Sequence, residues 1–264
     1  MNYYKALIQY DGTGYFGFQW QIEIPTIQNE FNQAIKSLVS GKVTTMGASR
    51  TDTGVHALEQ VVKISCEEEL SSSIMGDLNR TLPSQIKVLN VSPCDGEFRP
   101  SSSHLSKEYR YFFTNEQVVP QDHLRFMSNI SNPLNIDLVN QCLSQIIGNH
   151  DFVNFCSLGS NVTTTTREIF SCELSLVNPH IIFADSIFKF PSEVSECFQL
   201  KFSGSGFLKQ MIRHLVSALW MVGSGKLSVE DFSSFLQGQR KEKQLWRVAP
   251  ANGLFLFHIH YPKD

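Results

Sequence analysis

The densest cluster of chemically active side chains lies between Gly47 and Ala57, in the sequence Gly-Ala-Ser-Arg-Thr-Asp-Thr-Gly-Val-His-Ala. Asp52 follows Arg50 closely in this cluster, and glycines on both sides free the backbone to turn. A cation beside a carboxylate keeps it ionised, which a nucleophile or a general base requires. The pattern predicts a reacting carboxylate on a loop. Its spacing alone is also typical of a turn in which the Asp52 side chain caps the backbone.

The same cluster contains the triplet of the aspartic proteases, Asp52-Thr53-Gly54. Those enzymes need two facing carboxylates that share one proton. The chain has no second Asp-Thr-Gly or Asp-Ser-Gly triplet, so a hydrolase of this class would have to be a symmetric dimer. The usual setting of the triplet is an apolar strand, whereas Ser49-Arg50-Thr51 precedes it here. Both facts disfavour a protease.

A second candidate residue is Arg213, on a helix that the pattern predicts from Phe207 to Val222. At about 100° per residue, polar side chains fill one sector of this helix and apolar side chains fill the opposite one. The polar sector contains Lys209, Gln210, Arg213, His214 and Ser217. It either faces water or lines a cleft in which Arg213 meets an anion. The preceding Gly204-Ser205-Gly206 lacks the third glycine of a dinucleotide fingerprint and favours a flexible turn over a phosphate cradle.

Aromatic and basic residues are interleaved near these candidates. The aromatic ones are Tyr10, Phe16, Phe18, Trp20, Tyr109 and Tyr111, and the basic ones are Lys5, Arg50, Arg99, Lys107 and Arg110. Such interleaving permits base stacking together with phosphate contacts. Because the chain has 20 Phe, most aromatic rings must pack in the core. The pattern therefore permits RNA binding without establishing it.

Composition narrows the class of protein. The 264 residues include 22 Lys and Arg against 25 Asp and Glu, a net charge of −3. This balance lacks the basic excess typical of nucleic-acid-binding proteins, although a basic face can still form locally. No apolar run reaches the roughly 18 residues of a membrane span, and the first residues show no signal-peptide core. We therefore expect a cytoplasmic protein with no membrane partner. The spacing of the six cysteines matches no set of zinc ligands.

Strands and helices are mixed in both halves of the chain, which predicts an α/β or α+β fold. Strands are predicted at Tyr4–Tyr10, Val61–Ile64, Ser84–Val91, Tyr109–Phe113 and Leu254–Tyr261. Helices are predicted from Ile27 after the N-cap Thr26, at Ile136–Ile147 before Gly148, and between Ser228 and Gly238. The polar segment 116–133 predicts a loop. A boundary near residue 105 divides the chain into domains 1–105 and 106–264.

Taken together, these segments resemble the TruA family of tRNA pseudouridine synthases over nearly the whole chain. The matching segments follow the family's order and include Tyr10–Gln21, Gly47–Ala57, Lys107–Tyr111, Phe207–Arg213 and Ala249–Leu254. The Arg-Thr-Asp-x-Gly-Val-His core is highly specific. Phe18 and Ser49 replace the family's usual Trp and Gly, and Gly204-Ser205-Gly206 replaces its usual Ala-Asn-Ala.

The resemblance implies an enzyme that isomerises uridine to pseudouridine in the anticodon arm of tRNA, at positions 38, 39 and 40. It implies two similar α/β domains, each with a mainly antiparallel sheet flanked by helices, and an active-site cleft between them. It also implies a homodimer with tRNA as partner, no cofactor and no metal.

The resemblance also assigns roles to residues of both domains. Asp52 in domain 1–105 would be the catalytic carboxylate, as nucleophile or base, and Arg50 would hold the flipped nucleotide or fill its place. In domain 106–264, Tyr109 would stack on the uracil, alone or with a further role in proton transfer, and Arg213 would pair with Asp52. A non-catalytic RNA-binding relative of the same fold is the alternative, and the intact set of these four residues argues against it.

Overall fold

The computed structural model describes residues 1–116, 119–130, 132–157, 162–238 and 246–262, in which strands and helices alternate. The strands are β1 Asn2–Tyr10, β2 Val43–Gly47, β3 His56–Cys66, β4 Ile86–Pro93, β5 Ser106–Thr114, β6 Ser128–Asn129, β7 Gly148–Asp151, β8 Thr166–Val177, β9 Cys197–Gly204 and β10 Leu254–His260. The helices are α1 Ile27–Leu38, α2 Ile74–Thr81, α3 Ile136–Ile146, α4 Pro179–Ile182, α5 Met211–Gly223 and α6 Val229–Leu236. Two 3₁₀ helices span Gln121–Arg125 and Phe152–Phe155. The predicted α/β (α+β) class is confirmed.

The chain forms two compact units. The first comprises Met1–Leu105, Phe183–Lys189 and Phe255–Asp264, and the second comprises Ser106–Ile182 and Phe190–Leu254. The first stretch of unit one ends at the predicted boundary near residue 105, and two later segments join that unit. They do so because Phe255 and Leu256 of β10 pair with β3 and because Phe183 and Phe188 pack against Phe255. That domains 1–105 and 106–264 carry separate parts of a site stays a prediction.

The sheet of the first unit is built around β3. Strand β1 lies antiparallel to β3 from Asn2 opposite Cys66 to Tyr10 opposite Ala57, and β4 lies antiparallel to the other edge of β1. Strand β2 pairs antiparallel with the far end of β3, and β10 pairs in parallel with its beginning. This register brings the end of β1 beside the start of β3, so the loops that adjoin those two ends are neighbours.

In the second unit the strands pair in the order β5, β9, β8, β7 and are antiparallel, and β6 pairs in parallel with β5. Helices α3, α5 and α6 contact one another in this unit. The apolar face of α5 is buried, as its 3.6-residue periodicity predicts. Its buried members include Met211, Ile212, Leu215, Val216, Ala218, Leu219 and Val222.

Several helix ends follow from local chemistry that the sequence displays. The Thr26 side chain accepts a hydrogen bond from the backbone nitrogen of Asn29, and Ser228 does the same for Asp231. These side chains satisfy amide groups that the first turn of a helix leaves without partners. Gly148 follows α3 in a left-handed conformation, with φ of 108°. The predicted caps and helix ends are confirmed.

Other predicted bounds differ from the structure. The helix expected from Phe207 begins at Met211, because Gln210 has a left-handed φ of 60° that no α-helix continues. Segment 116–133 is not entirely loop, since it holds the 3₁₀ helix Gln121–Arg125 and strand β6. Residues 117, 118 and 131 of that segment lie outside the described part of the chain. The strand expected at Val61–Ile64 is longer and spans His56–Cys66, because it pairs with β1 from Ala57 to Cys66 and with β10 at His56.

Candidate active site

Asp52 lies on a short turn, residues 51–55, that connects β2 with β3 in the first unit. The backbone nitrogen of Val55 donates to the carbonyl of Asp52 at 3.1 Å, so a backbone hydrogen bond closes the turn. The side chain of Asp52 is half-buried, and Arg50, just before the turn, is exposed. The structure therefore places Arg50 and Asp52 on one loop, as the spacing predicts.

Glycines let a second loop approach this turn closely. A Cβ atom on Gly12 would overlap with the carbonyl oxygen of Val55, and one on Gly17 would lie 2.6 Å from the carbonyl oxygen of Thr51. Gly17 also has φ of 91°, a conformation that L side chains rarely adopt. The backbone nitrogen of Phe18 donates to Thr51 at 3.2 Å, and that of Gly54 donates to Tyr15 at 3.2 Å. The two loops are therefore fixed together through their backbones.

Buried polar side chains hold the beginning of the turn. The hydroxyl groups of Tyr10 and Thr51 are 2.8 Å apart. The Gln60 amide accepts a hydrogen bond from the backbone nitrogen of Ser49 at 3.1 Å and donates to its carbonyl at 2.7 Å. Tyr10 and Gln60 are fully buried in the first unit. Buried hydrogen bonds are costly to break, so these contacts set the path of the backbone into Asp52.

A buried contact between Asp11 and His56 holds the end of the Asp52 turn. His56 Nδ1 lies 3.1 Å from an Asp11 carboxylate oxygen and 3.1 Å from the backbone nitrogen of Gly12. Burial raises the pKa of Asp11, but its contact with His56 and hydrogen bonds from Thr13 outweigh this effect and leave the pKa well below its usual range. The His56 ring stacks on Phe255 with a centroid distance of 4.7 Å.

In the second unit, Tyr109 lies on β5 opposite Phe202 of β9. Its ring meets the ring of Phe207 edge to face, with centroids 5.2 Å apart. The residue is 7% exposed, so its ring orientation is set by packing. Two residues earlier, burial lowers the pKa of Lys107 to about 8.

Arg213 is the third residue of α5 and is half-buried. Its Nε donates to the carbonyl of Ala249 at 2.7 Å, and the backbone nitrogen of Ala249 donates to the carbonyl of Arg213 at 3.2 Å. The Tyr111 hydroxyl donates to the carbonyl of Pro250 at 2.8 Å and lies 2.7 Å from Ser128 Oγ. Burial raises the pKa of Tyr111, and hydrogen bonding to Ser128 and the nearby Arg213 charge oppose this only in part. The Arg213 guanidinium is therefore held by the Ala249 carbonyl, and the protonated Tyr111 hydroxyl is held by the next carbonyl, that of Pro250.

His214, the neighbour of Arg213 on α5, is buried. Its Nε2 lies 3.3 Å from Ser157 Oγ. Burial, together with the positive charge of Arg213, lowers the pKa of His214 to about 4. The ring is therefore neutral at physiological pH. The prediction that Lys209 and Gln210 lie in one polar sector of this helix with His214 is wrong, because those two residues precede α5.

The aromatic side chains proposed for base stacking differ in their exposure to solvent. Tyr10, Phe18 and Tyr111 are fully buried and serve the core, whereas Phe16 and Trp20 are exposed. Five residues that position Asp52 were not predicted from the sequence to do so: Asp11, Gly12, Gly17, His56 and Gln60. Three glycines within six residues, at positions 12, 14 and 17, are the signal that could have indicated the close approach.

Gly204-Ser205-Gly206 does not form a phosphate cradle at a helix N-terminus. Gly204 is the last residue of β9, where a Cβ would lie 2.6 Å from the Glu168 carbonyl, and α5 begins only at Met211. Within the described ranges, no group of three or more His, Cys, Asp or Glu side chains could hold a metal ion. No helix in that part of the chain is long and apolar enough to cross a membrane.

Comparison with known proteins gives matches over most of the chain. The family described as tRNA pseudouridine synthase matches residues 6–99 and 143–262. The tRNA pseudouridine synthase A 2 of Desulfotalea psychrophila is 36% identical over 279 aligned residues, with both chains fully covered. The tRNA pseudouridine synthase A of Acetivibrio thermocellus is 36% identical and that of Listeria innocua 31%, each covering 99% of this chain and 100% of the relative. Asp52 and Arg213 lie within the family match, and Tyr109 lies between its two parts.

Substituting Gly12 tests the close approach of the two loops. We expect Gly12→Ala to lower the free energy of unfolding by about 1–3 kcal/mol, because the added methyl group overlaps with the Val55 carbonyl. Gly76→Ala is the matched control: in helix α2, where the nearest atom is the flexible end of Arg80, the same change should stabilise by about 0.5–1 kcal/mol. Urea denaturation measures both. A Gly12→Ala protein as stable as wild type would show that the loops do not pack this closely.

The low pKa of His214 predicts a pH dependence of stability. The unfolded chain takes up a proton at this histidine near pH 6.5, whereas the folded protein resists it until about pH 4. Acidification through this range therefore lowers the free energy of unfolding of wild type. The His214→Gln variant has no imidazole at this position and does not lose this contribution. We expect the stability advantage of wild type over His214→Gln to shrink from pH 7.5 to pH 4.5 in urea denaturation. A difference that stays constant with pH would contradict the buried, neutral ring.

Proposed function

Because this chain belongs to the tRNA pseudouridine synthase family, we propose that it is an enzyme that isomerises uridine to pseudouridine in tRNA. One observation carries the proposal. A half-buried carboxylate, Asp52, lies on a turn that the backbone closes and that a glycine-containing loop fixes from one side, with the exposed cation Arg50 just before it. Rigid placement of a reacting group on a loop is what catalysis by a side chain requires.

The reaction exchanges one bond for another within the nucleotide. The bond between uracil N1 and ribose C1′ breaks, and a bond between C5 and C1′ forms. C5 loses its proton and N1 gains one, so atoms and electrons balance without an oxidant or a second substrate. We propose that Asp52 opens the glycosidic bond, by attack on the sugar or by removal of a sugar proton, and that no cofactor takes part. The detached uracil then recombines as a trapped, oriented neighbour, which makes the second step effectively intramolecular.

The site must reach a base that is stacked in RNA. A nucleotide that reacts in this way has to be flipped out, at a cost of a few kcal/mol. We propose that Arg50 holds the flipped nucleotide or fills its place, and its exposure beside the Asp52 turn supports that role.

We propose that two residues of the second unit also take part in the reaction. We propose that Tyr109 stacks on the uracil, and the edge contact with Phe207 supports a fixed ring. We further propose that Arg213 pairs with the Asp52 carboxylate during the reaction. The bond from its Nε to Ala249 holds the guanidinium in one orientation, and a guanidinium is suited to bidentate contact with a carboxylate.

The finer features rest on the resemblance alone. We propose that the modified uridines lie in the anticodon arm, at positions 38, 39 and 40, and that the enzyme acts as a cytoplasmic homodimer with tRNA bound across both subunits. Two basic faces joined in a dimer would give a slightly acidic chain a longer track for phosphates.

Replacing the Asp52 carboxylate tests its catalytic role. We expect Asp52→Asn to bind tRNA within a few-fold of wild type but to release tritium from C5-tritiated uridine in tRNA at least about 10³-fold more slowly. Tritium release reports the chemistry because C5 loses its hydrogen only when it bonds to the sugar. Asp185→Asn, at an exposed position, is the matched control and should behave as wild type. Appreciable turnover by Asp52→Asn would refute the assignment.

Two variants at Tyr109 separate stacking from proton transfer. If the ring acts by stacking, Tyr109→Phe should keep the tritium-release rate within about 10-fold, because the phenyl ring preserves the contact with Phe207. Tyr109→Leu should lose a further 10-fold or more, since stacking on a base contributes about 1–3 kcal/mol. Equal losses in the two variants would show instead that the hydroxyl group takes part in the chemistry.

A further inference from the structure

Two large aromatic side chains stand exposed on the loop that packs against the Asp52 turn. Phe16 is 53% exposed and Trp20 is 48% exposed, and Ile22 on the same loop is 70% exposed. Their neighbour Phe18 is fully buried. We call Phe16, Trp20 and Ile22 the aromatic shelf. Exposed apolar side chains that form a patch mark a surface that contacts a partner, and these three lie on one short loop.

The loop that carries the aromatic shelf is well anchored. The backbone nitrogen of Phe16 donates to the carbonyl of Pro25 at 2.9 Å, and the Gln21 amide donates to the carbonyl of Phe16 at 3.1 Å. The backbone nitrogen of Trp20 donates to the side-chain oxygen of the buried Gln28 at 2.9 Å. Because the loop is already ordered, a partner would not have to offset the entropy of ordering it.

The loop that carries the aromatic shelf adjoins the Asp52 turn. Gly17, next to Phe16, packs against the carbonyl of Thr51, and the next residue, Phe18, donates to that carbonyl. The exposed cation Arg50 immediately precedes Thr51. A nucleic acid held at Asp52 would therefore lie close to this loop.

Charge indicates which part of a nucleic acid the shelf would contact. Between Tyr15 and Pro25 the sequence has no Lys or Arg, and its one charged residue is Glu23, which is exposed. A carboxylate repels phosphates, so this loop is unsuited to the RNA backbone. Aromatic rings, by contrast, stack on bases of any kind.

We propose that the aromatic shelf binds unpaired bases of the RNA substrate next to the nucleotide that reacts at Asp52. This inference rests on the proposed function, since it takes the substrate to be RNA. Phe16 and Trp20 supply the stacking surfaces, and Ile22 covers apolar base edges. Bases that leave the stack when the target nucleotide flips out are the ligands such a surface accepts.

Affinity measured across salt concentrations tests the proposal. The probe is an unmodified tRNA transcript, titrated with each protein between 50 and 200 mM salt. We expect Phe16→Ala and Trp20→Ala each to weaken binding roughly 5- to 100-fold. The slope of log Kd against log salt should stay that of wild type, because stacking releases no counterions. Trp20→Phe should recover most of the affinity, and the control Ile181→Ala, at an exposed apolar position of the second unit, should change nothing.

Three outcomes would overturn the proposal. Unchanged affinity in both alanine variants would show that the shelf does not contact RNA. A shallower salt slope would show that the lost contacts were to phosphates. Weaker binding with a change of oligomeric state in sedimentation would show that the shelf joins two copies of the chain.

Failure of the proposed function is a separate result. A wild-type chain that releases no tritium from C5 would refute that function, whereas the alanine variants would still report on the shelf through tRNA affinity.

Discussion

The candidate active site depends on the close approach of two backbone segments, residues 12–17 and residues 51–55. Ordinary side chains at Gly12 and Gly17 would occupy the space that the carbonyl groups of Val55 and Thr51 fill. Without side chains there, the segments come near enough for hydrogen bonds between Gly54 and Tyr15 and between Phe18 and Thr51. The Asp52 carboxylate thereby projects from a backbone held on both sides rather than from a mobile loop.

The sheet of the first unit makes this approach possible. Strands β1 and β3 are antiparallel, with Tyr10 opposite Ala57, so the loop that follows β1 and the turn that precedes β3 leave the sheet at the same edge. The hydroxyl contact of Tyr10 with Thr51 and the contact of Asp11 with His56 then join the two loops at their bases. The strand register, the buried polar contacts and the packing of the glycines therefore all hold the loop after β1 against the turn that carries Asp52.

Features that depend on neighbouring residues could be predicted from the sequence. Contacts between residues far apart in the chain could not. The alternation in β1, the cap of α1 at Thr26 and the loop position of Asp52 follow from neighbouring residues. The contact of Gly12 with Val55 joins residues far apart in the chain, so spacing does not reveal it. Composition also cannot distinguish exposed Phe16 from buried Phe18, and the left-handed Gln210 that delays α5 has no local signal in its side chain.

The most direct test compares two alanine variants on one loop in single-turnover tritium release from C5 of uridine in tRNA. Gly17→Ala and Gly14→Ala impose similar backbone strain, with φ of 91° and 82°, but only the methyl group at position 17 meets another atom, the Thr51 carbonyl oxygen. We expect Gly17→Ala, folded and bound to tRNA, to react at least about 10-fold more slowly than Gly14→Ala, because small displacements of a reacting group are costly. Equal rates in the two folded variants would show that the packing of Gly17 against the Thr51 carbonyl does not position Asp52.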